Sequence, residues 1–382
     1  MAVRMGKAIK IGVLYSTTGP YGPMGREGRD GAEFAIEELR SAQGLAVEPV
    51  FVDPEADINR YLEGARYLLR EAGCRHIVGT ITSLARKEVI PLVEKHDGLL
   101  WYMCPFEGFE ANENVIYIGA TPKQHLLPLF DYLLPRFGNR PYLVGANYVW
   151  GWEMNRLARE LILQAGGDVL GERYLPLEET AVERLVLDIE MRRPSFILNN
   201  LIGPSSYAFL RAIDALGKRD PAFLPENCPV VSCDLTECEL DELAPCAGEG
   251  QLTAAAYFDS LGSGENLSFK ARVARHYGAP RLVSSLFASA YAAVKLCVEA
   301  IGEAGSDEPS RVRQMLAQRA HNTVLGPIVI DRETNHAALP FHLGRIRHGH
   351  GFDIIQSQPA VAADPYLTGQ RTRQPPKLRV VS

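Results

Sequence analysis

Short apolar runs alternate with amphipathic helical runs along almost the whole of this 382-residue chain. IKIGVLYS, VEPVFVD and HIVGT are each followed by a segment with apolar residues at helical spacing, and a second series of the same kind begins at RPYLVGA. Strands that alternate with helices pair in parallel, and the helices cover both faces of the sheet. The sequence therefore predicts an α/β fold with two doubly wound parallel-sheet lobes.

The last third of the chain departs from this alternation. After the strand-like run GQLTAAAYF come two helical runs, and then short runs separated by Gly and Asn that are typical of antiparallel pieces. A chain that returns to finish each lobe crosses between the lobes repeatedly, and we expect crossings near Thr121, Ala254 and Asp331. We expect an N-terminal lobe of 1–121 plus 254–330, a C-terminal lobe of 122–253 plus 331–367, and an extended tail over 368–382.

Composition limits the class of protein. Hydrophobic residues make up 46% of the chain and charged residues 23%, as in an ordinary globular protein. The net charge of −6 and the lack of a dense basic run argue against direct binding of nucleic acid. No apolar stretch approaches the roughly twenty residues that a transmembrane helix needs.

The amino terminus and the cysteines bear on the cell compartment. Only MAVRMGK precedes AIKIGVLYS, and this is too short for the apolar region of a secretory signal. The seven cysteines, an odd number, favour free thiols in a reducing compartment. We therefore expect a cytoplasmic protein, with the periplasm as the alternative if a signal peptide has been removed.

Residues 78–109 carry the clearest indication of a site. HIVGT ends a strand, Ser83 stands where the N-cap of an amphipathic helix is expected, and GLLWYMC forms the next strand. A hydroxyl beside the free N–H groups of a helix N-terminus suits a carbonyl or carboxylate oxygen. Because the carboxyl ends of parallel strands meet at one edge, we expect Thr82, Tyr102 and Cys104 around Ser83. The alternative is that Ser83 is only a helix cap.

Two neighbouring features favour a ligand site over a simple cap. Arg86 and Lys87 fall in the first turn of the helix, where positive charge opposes the helix dipole. Tyr102 falls where the adjacent strand should end, so its hydroxyl needs a partner.

Polar and aromatic residues also gather at strand ends in the second series. Tyr148 and Trp150 follow the first strand of that series, within ANYVWGWEMN, and Asn200 and Asp234 follow later strands. Two adjacent amides after SFIL would be costly if they were buried without partners. The aromatic residues predict either packing between helix and sheet or a face that closes over a ligand.

Other motifs do not support a cofactor or a metal. Gly19, Gly22, Gly25 and Gly28 follow the first strand but lack both common phosphate-loop patterns, so we expect a flexible loop. The spacing of Cys228, Cys233, Cys238 and Cys246 is not that of a zinc site.

Searches for catalytic motifs find none of G-x-S-x-G, H-E-x-x-H or S-x-x-K. A triad assembled across the fold stays open, with His125 as the histidine of interest. Cys104 at a strand end is the remaining candidate nucleophile, and no motif surrounds it.

The chain resembles the type I periplasmic-binding-protein superfamily from IGVLYSTTG to DPYL. Within it, SLARKEVIPLVE, PFEGFEANENVIYIG, NYVWGWEMN and DRETNHAAL are most similar to the amide-binding negative regulator of aliphatic amidase operons. Urea and short-chain amide binding proteins of transporters come next, ahead of branched-chain amino-acid binding proteins.

The resemblance implies two lobes that close on a small ligand in a cleft, without catalysis. It implies that the ligand carbonyl meets Ser83, and that the pocket is lined by Tyr102, Cys104, Pro105, Tyr148, Ile202 and Asp234. Cys104 and Asp234 stand where the amide regulator has Thr. The extra carboxylate favours a ligand that is rich in N–H donors or positively charged.

We therefore expect an amide or urea sensor that regulates an amidase or nitrile-degradation operon through a partner, an RNA-binding antiterminator. The alternative is the substrate-binding component of an ABC transporter for urea, amides or branched-chain amino acids, with a membrane permease as partner. Self-association into a homo-oligomer is left open, and an enzyme that uses Cys104 is the most distant interpretation.

Overall fold

A computed structural model of the chain describes residues 8–43, 46–243 and 247–370. The first lobe is built on a five-stranded parallel sheet in the order β2-β1-β3-β4-β5. Its strands are β1 (Ile9–Leu14), β2 (Val47–Val52), β3 (His76–Gly79), β4 (Leu99–Tyr102) and β5 (Val115–Tyr117). The helices between them are α1 (Gly22–Gln43), α2 (Ile58–Arg70) and α3 (Ser83–Lys95).

The second lobe is built on a seven-stranded sheet in the order β14-β13-β10-β9-β8-β6-β7. Its parallel strands are β6 (Tyr142–Ala146), β7 (Gly171–Leu175), β8 (Ile197–Asn200), β9 (Val230–Ser232) and β10 (Leu252–Ala255). Two antiparallel strands complete it, β13 (Leu339–Ile346) and β14 (Phe352–Val361). Its helices are α4 (Leu126–Phe137), α5 (Val149–Gln164), α6 (Glu183–Arg192) and α7 (Pro204–Arg219), with short 3-10 turns at Pro221–Phe223 and Glu237–Glu242.

After β10 the chain returns to the first lobe. It forms α8 (Gly264–Tyr277), α9 (Ser285–Ala304), α10 (Pro309–Leu316) and the hairpin β11 (His321–Thr323) with β12 (Gly326–Ile328). Helix α9 packs so closely on α1 that a Cβ on Gly31 would lie 2.3 Å from the carbonyl oxygen of Phe287. The chain then bridges Tyr117 at His336 before it enters the second sheet.

The predicted α/β fold with two parallel-sheet lobes is confirmed, and the short runs near the end of the chain form the antiparallel β13–β14 pair. The predicted lobe boundaries stay a prediction. Strand β10, which contains Ala254, belongs to the second sheet, and His336, beyond Asp331, still bridges a strand of the first.

The expectation of a loop at the glycine repeat is wrong, because Gly22, Gly25 and Gly28 lie inside α1. A Cβ on Gly25 would lie 1.6 Å from the carbonyl oxygen of Ser16, so glycine is what lets the helix approach the end of β1.

Helix α9 corrects the expectation about apolar length. Among the described residues it alone is long and apolar enough to cross a membrane. However, 78% of its apolar window is buried inside the fold, where α9 packs on α1, which is typical of a core helix.

The predicted tail is only partly within the described residues. Residues 368–370 form a 3-10 turn, in which the Asp364 carboxylate accepts hydrogen bonds from the backbone N–H groups of Thr368 and Gly369. Residues 371–382 lie outside the described residues.

Candidate ligand-binding site

A small cavity lies where the carboxyl ends of the two sheets face each other. About 30 Å³ of it is open to the centres of water-sized molecules. That is room for roughly two water molecules, since one needs about 10–15 Å³ by this measure. A ligand enclosed here in this conformation therefore has few non-hydrogen atoms.

The cavity brings together residues from both lobes. Nine of the residues predicted from the sequence line it: Thr82, Ser83, Tyr102, Cys104, Pro105, Tyr148, Trp150, Ile202 and Asp234. Met24, Ile81 and Leu286 complete the lining and were missed. Leu286 lies at the start of α9, far along the chain, and no local pattern marks it. Ile81 directly precedes Thr82, and this adjacency was the available signal.

Asn200 does not line this cavity. Its Nδ2 donates to Oδ1 of Asn155 at 2.8 Å, and both residues are fully buried. The adjacent Asn199 donates to the hydroxyl of Ser206. The two amides therefore bond mainly to neighbouring helices rather than to a ligand.

The N-cap of α3 is Thr82, not Ser83 as expected. The Thr82 hydroxyl accepts a hydrogen bond from the backbone N–H of Ala85 at 3.1 Å. Ser83 is the first helical residue, and its hydroxyl donates to Oε2 of Glu107 at 2.5 Å. The Ser83 oxygen also accepts a hydrogen bond from Nη1 of Arg86 at 3.3 Å. Because its proton and one lone pair are engaged, Ser83 offers a ligand one remaining lone pair, which suits an N–H donor better than a carbonyl oxygen.

A buried ion-pair network explains the positive charge at the start of α3. The guanidinium of Arg86 is fully buried and donates to Glu107 at 3.1 Å and to Glu110 at 2.9 Å. Lys87 donates to Glu110 at 2.9 Å. Burial opposes ionisation of Glu110, but Arg86 and Lys87 lower its pKa to about 2. These cations are paired with carboxylates and do not line the cavity, so their use as a ligand signal was wrong.

Tyr102 and Cys104 hold the neighbouring backbone in place. The Tyr102 hydroxyl donates to the carbonyl of Ile81 at 2.9 Å, which is the partner that the sequence called for. The Cys104 thiol contacts the carbonyl of Thr80 at 3.6 Å, and burial raises its pKa to about 12. A thiol in this state is a poor nucleophile.

The second lobe presents two polar groups to the cavity. Oδ2 of Asp234 and Nε1 of Trp150 are both buried, and neither has a hydrogen-bond partner among the described residues. The Ser232 hydroxyl donates to the other carboxylate oxygen of Asp234. Burial raises the pKa of Asp234 to about 7, against the opposing effect of Ser232. A ligand that donates a hydrogen bond would satisfy Oδ2.

Trp152 differs from Trp150 although it lies only two positions further along α5. Its side chain is exposed and its indole N–H donates to Asn147 at 3.1 Å. Only Trp150, which is 3% exposed, is part of the cavity lining.

A second cavity adjoins the first and shares Pro105 and Asp234 with it. His125 lines this second cavity, and its Nε2 lies 3.3 Å from the carbonyl of Phe106. Burial lowers the pKa of His125 to about 4, so the ring is neutral near pH 7. Asp234 is thus the wall between two small spaces.

Cysteines and metal ligands are scattered rather than clustered. In the part of the chain that the structure describes, no group of three or more His, Cys, Asp or Glu residues could hold a metal ion. Cys228, Cys233 and Cys238 are free thiols, and Cys246 lies outside the described residues.

This architecture is similar to that of known protein families and solved structures. A family model described as "Periplasmic binding protein domain" matches residues 9–372. An ABC transporter solute-binding protein of Rhodopseudomonas palustris HaA2, in complex with p-hydroxybenzoic acid, has a TM-score of 0.85 at 19% identity. That likeness covers 95% of this chain and 100% of the other.

Two further solved structures are similar over nearly their whole length. An amino acid ABC transporter substrate-binding protein from Pseudomonas fluorescens Pf-5 has a TM-score of 0.80 at 17% identity, covering 95% of this chain and 98% of that one. A branched-chain amino acid ABC transporter periplasmic ligand-binding protein from Burkholderia xenovorans LB400 has a TM-score of 0.77 at 17% identity, covering 92% and 96%. At these identities the likeness shows the fold alone.

One curated relative matches only in part. It is named limonene hydroxylase, from Geobacillus stearothermophilus, and is 26% identical over 120 residues. The match spans 31% of this chain and 22% of that protein's length, too little to transfer an activity. The family match, by contrast, runs from β1 to beyond the last described residue. With its two parallel-sheet lobes and a cavity between them, this chain belongs to the type I periplasmic binding proteins.

Proposed function

We propose that this chain is the solute-binding component of an ABC transporter, which captures a small polar ligand between its lobes and presents it to a membrane permease. The observation that carries the proposal is a cavity whose lining comes from both lobes and includes polar atoms without partners among the described residues. A ligand that contacts both lobes stabilises the closed state over the open one. The similar solved proteins are named as components of ABC transporters.

The periplasm is the compartment that this function requires, in place of the cytoplasm expected from the sequence. Proteins of this family and the similar ABC transporter components favour the periplasmic alternative. The thiols of Cys74, Cys104, Cys228, Cys233 and Cys297 are buried and free, so they do not need a reducing compartment to stay unpaired.

The proposed ligand is compact and rich in N–H donors. Ser83 and Asp234 both present acceptor atoms to the cavity, from opposite lobes. The cavity itself has room for roughly two water molecules, and a larger space of about 430 Å³ shares Thr82 and Tyr148 with it. A urea-sized or short amide-sized molecule fits this description better than a benzoate.

A second candidate is the amide sensor with an RNA-binding antiterminator as partner. One observation favours it: Ser83, Tyr102, Pro105 and Tyr148, the positions that the resemblance to the amide regulator carried over, line a single cavity. Both candidates share a ligand site and lack catalysis, and they differ in the partner protein.

Calorimetric titration of the purified protein tests the site. We expect urea or a short amide to bind the wild type, and Trp150→Phe to weaken the binding by about tenfold, since each lost contact of about 1.4 kcal/mol costs this factor. Trp152→Phe is the matched control and should bind as the wild type does. Equal weakening by both variants, or binding of none of these ligands, would contradict the proposal.

Reconstitution with the candidate partner proteins distinguishes a transporter component from a sensor. With the permease and ATPase genes that accompany the native gene placed in liposomes, the liganded protein should stimulate ATP hydrolysis. If the protein instead binds an RNA-binding protein in a ligand-dependent way and leaves ATP hydrolysis unchanged, the sensor is correct. Size-exclusion chromatography of each complex gives the oligomeric state.

A further inference from the structure

We propose that the preferred ligand is a compact organic cation with several N–H donors, of the guanidinium or amidinium class, and that Asp234 is its counter-ion. This inference rests on the proposed ligand-binding function and names the chemistry of the ligand. The distribution of charged side chains around the cavity supports this inference.

The cavity lining carries one carboxylate and no basic side chain. Its lining residues include Asp234 but no Lys, Arg or His. The nearest cations behind Ser83 are Arg86, which donates to the Ser83 hydroxyl at 3.3 Å, and Lys87. Both are paired with Glu107 and Glu110. The lining therefore offers no positive charge to a carboxylate ligand, and its one acidic group has no counter-charge.

Asp234 is also the group that a cation would stabilise most. Oδ2 is buried and has no hydrogen-bond partner within the described ranges, and an unpaired buried carboxylate is costly. The Ser232 hydroxyl and the indole of Trp150 both favour its ionised form, although the indole is outside hydrogen-bond geometry. A cation in the cavity would supply the remaining stabilisation.

Aromatic side chains add to this preference. The rings of Tyr102, Tyr148 and Trp150 line the same cavity as Asp234. Aromatic faces attract cations by about 0.5–2 kcal/mol, more strongly where water is excluded. The Arg86 guanidinium already lies over the Tyr102 ring, 4.5 Å from its centroid, so the rings of Tyr148 and Trp150 are those left for a ligand cation. Two aromatic side chains with one carboxylate form a setting that favours a cation over a neutral molecule of the same shape.

The other titratable groups near Asp234 do not supply positive charge. Burial raises the pKa of each thiol, phenol and carboxyl among them, and lowers the pKa of the histidine that lines the adjoining cavity. They are Tyr102, Cys104, Tyr148, Cys233, Glu237, Glu239 and His125. None of them is cationic near pH 7.

Binding of a cation therefore competes with the proton on Asp234. The pKa of Asp234 is raised to about 7, so the carboxylate is ionised above that pH and protonated below it. A guanidinium ion keeps its charge throughout this range. Its affinity should fall by about tenfold per pH unit below pH 7 and level off above it. A neutral ligand would show no such fall.

Guanidinium and urea, at low millimolar concentrations, are the probes for this test. They have the same number of non-hydrogen atoms and nearly the same shape, and they differ in charge. At pH 8 we expect guanidinium to bind at least tenfold more tightly than urea, and acetamidinium more tightly than acetamide. The advantage should disappear near pH 5.5.

Asp234→Asn should weaken the binding of guanidinium much more than that of urea, so that most of the preference for guanidinium is lost. Asp241→Asn, at a side chain that is 87% exposed, is the control and should keep the preference for guanidinium over urea. Titration of the wild type in two buffers of different ionisation enthalpy needs no variant. At pH 6 guanidinium should release most of one proton, and urea should release none.

The outcomes separate this inference from the proposed function. If urea binds as tightly as guanidinium and neither releases a proton, the counter-ion role is wrong and the binding function stands. Binding of amino-acid zwitterions in preference to guanidinium leads to the same conclusion. If no amide, urea, cation or amino acid binds, both the inference and the proposed function are overturned.

Discussion

Asp234 shows how one side chain couples ligand choice to stability. Its carboxylate lies on the wall between two cavities, with one oxygen bonded to Ser232 and the other without a partner among the described residues. In the unfolded chain its pKa returns to about 3.9. Folding therefore raises the pKa, and the folded state holds the proton up to a higher pH.

The first prediction concerns the stability of the ligand-free protein. A raised pKa contributes stability below about pH 4, and this contribution is lost as the pH rises through about 7. Asp234→Asn removes the charge, so we expect it to raise the stability at pH 8 by about 1 kcal/mol or more, and to have little effect only below about pH 4, for example at pH 3.5. Thermal unfolding at both pH values measures this.

Asp168→Asn, at an exposed position, is the control for that measurement and should leave the stability nearly unchanged at both pH values. A variant Asp234→Asn that is less stable than the wild type at pH 8 would show that the carboxylate is well compensated without a ligand.

For individual residues, the sequence predicted which side chains lie at the site better than it predicted their hydrogen bonds. Strand-end positions placed Ser83, Tyr102 and Asp234 near one another because parallel strands share an edge. The direction of the Ser83 hydrogen bond depends on Glu107, which follows β4, and spacing does not reveal that contact. Asn200 has the right position on its strand, but its amide bonds to α5.

Only the tertiary structure explains the positive charges at the start of α3. Arg86 and Lys87 oppose the helix dipole, but the buried pairs with Glu107 and Glu110 outweigh that effect. These carboxylates come from the segment after β4, so α3 is fixed to the strand that forms the other side of the site.

The second prediction tests this attachment. Glu107→Gln keeps the shape of the side chain but leaves Arg86 with less negative charge, and removal of one member of a buried pair costs about 3 kcal/mol. We expect a corresponding loss of thermal stability. Glu113→Gln, at a side chain that is 85% exposed, should change the stability by less than about 0.5 kcal/mol. Similar values for the two variants would refute the structural role of the pair.

The third prediction concerns helix α1. Alanine at Gly25 would place a methyl group 1.6 Å from the carbonyl oxygen of Ser16, so we expect destabilisation of about 3 kcal/mol or more. Gly302 also lies inside a helix but has nothing within 4 Å, and Gly302→Ala should stabilise by about 0.5–1 kcal/mol. Opposite signs in thermal unfolding are the expected result, and a loss of stability in both would contradict it.

The prediction of helices was wrong where tertiary packing outweighs the local conformational preference of the residues. The glycine repeat looks like a loop because glycine disfavours helices, yet close approach to β1 requires it. Helix α8 was also missed: the sequence predicts two helical runs after GQLTAAAYF, but the structure has three helices there, and Ser263 caps the first of them.

At the scale of the molecule, the two lobes touch beside the site. Gly203, just before α7, has a positive φ of 63°, and a Cβ there would lie 1.9 Å from the carbonyl oxygen of Pro20 in the first lobe. This contact exists only when the lobes are close together. The structure therefore corresponds to a closed arrangement.

The fourth prediction is that Gly203→Ala weakens closure. Ligand affinity should fall by about tenfold or more, because part of the binding free energy now goes into forcing the lobes together. Gly166→Ala is the control, since Gly166 has a similar positive φ of 70° and nothing within 4 Å. Small-angle scattering should show that ligand compacts the wild type more than Gly203→Ala. Equal compaction would contradict the role of this contact.

The two-lobe architecture could be predicted because alternation of strands and helices is a property of the whole chain. The contact between the lobes at Gly203 could not be predicted, because it joins two loops that are far apart in sequence. The same is true of Leu286, which reaches the cavity from the last third of the chain.

The packing of α9 on α1 also limits how this protein is made. Helix α1 emerges from the ribosome early, but its partner begins at Ser285. At about 5–20 residues per second, the apolar face of α1 waits roughly ten to fifty seconds for that partner. During synthesis all five strands of the first sheet therefore appear long before α9 does, and the apolar face of α1 stays uncovered until the last third of the chain has been made.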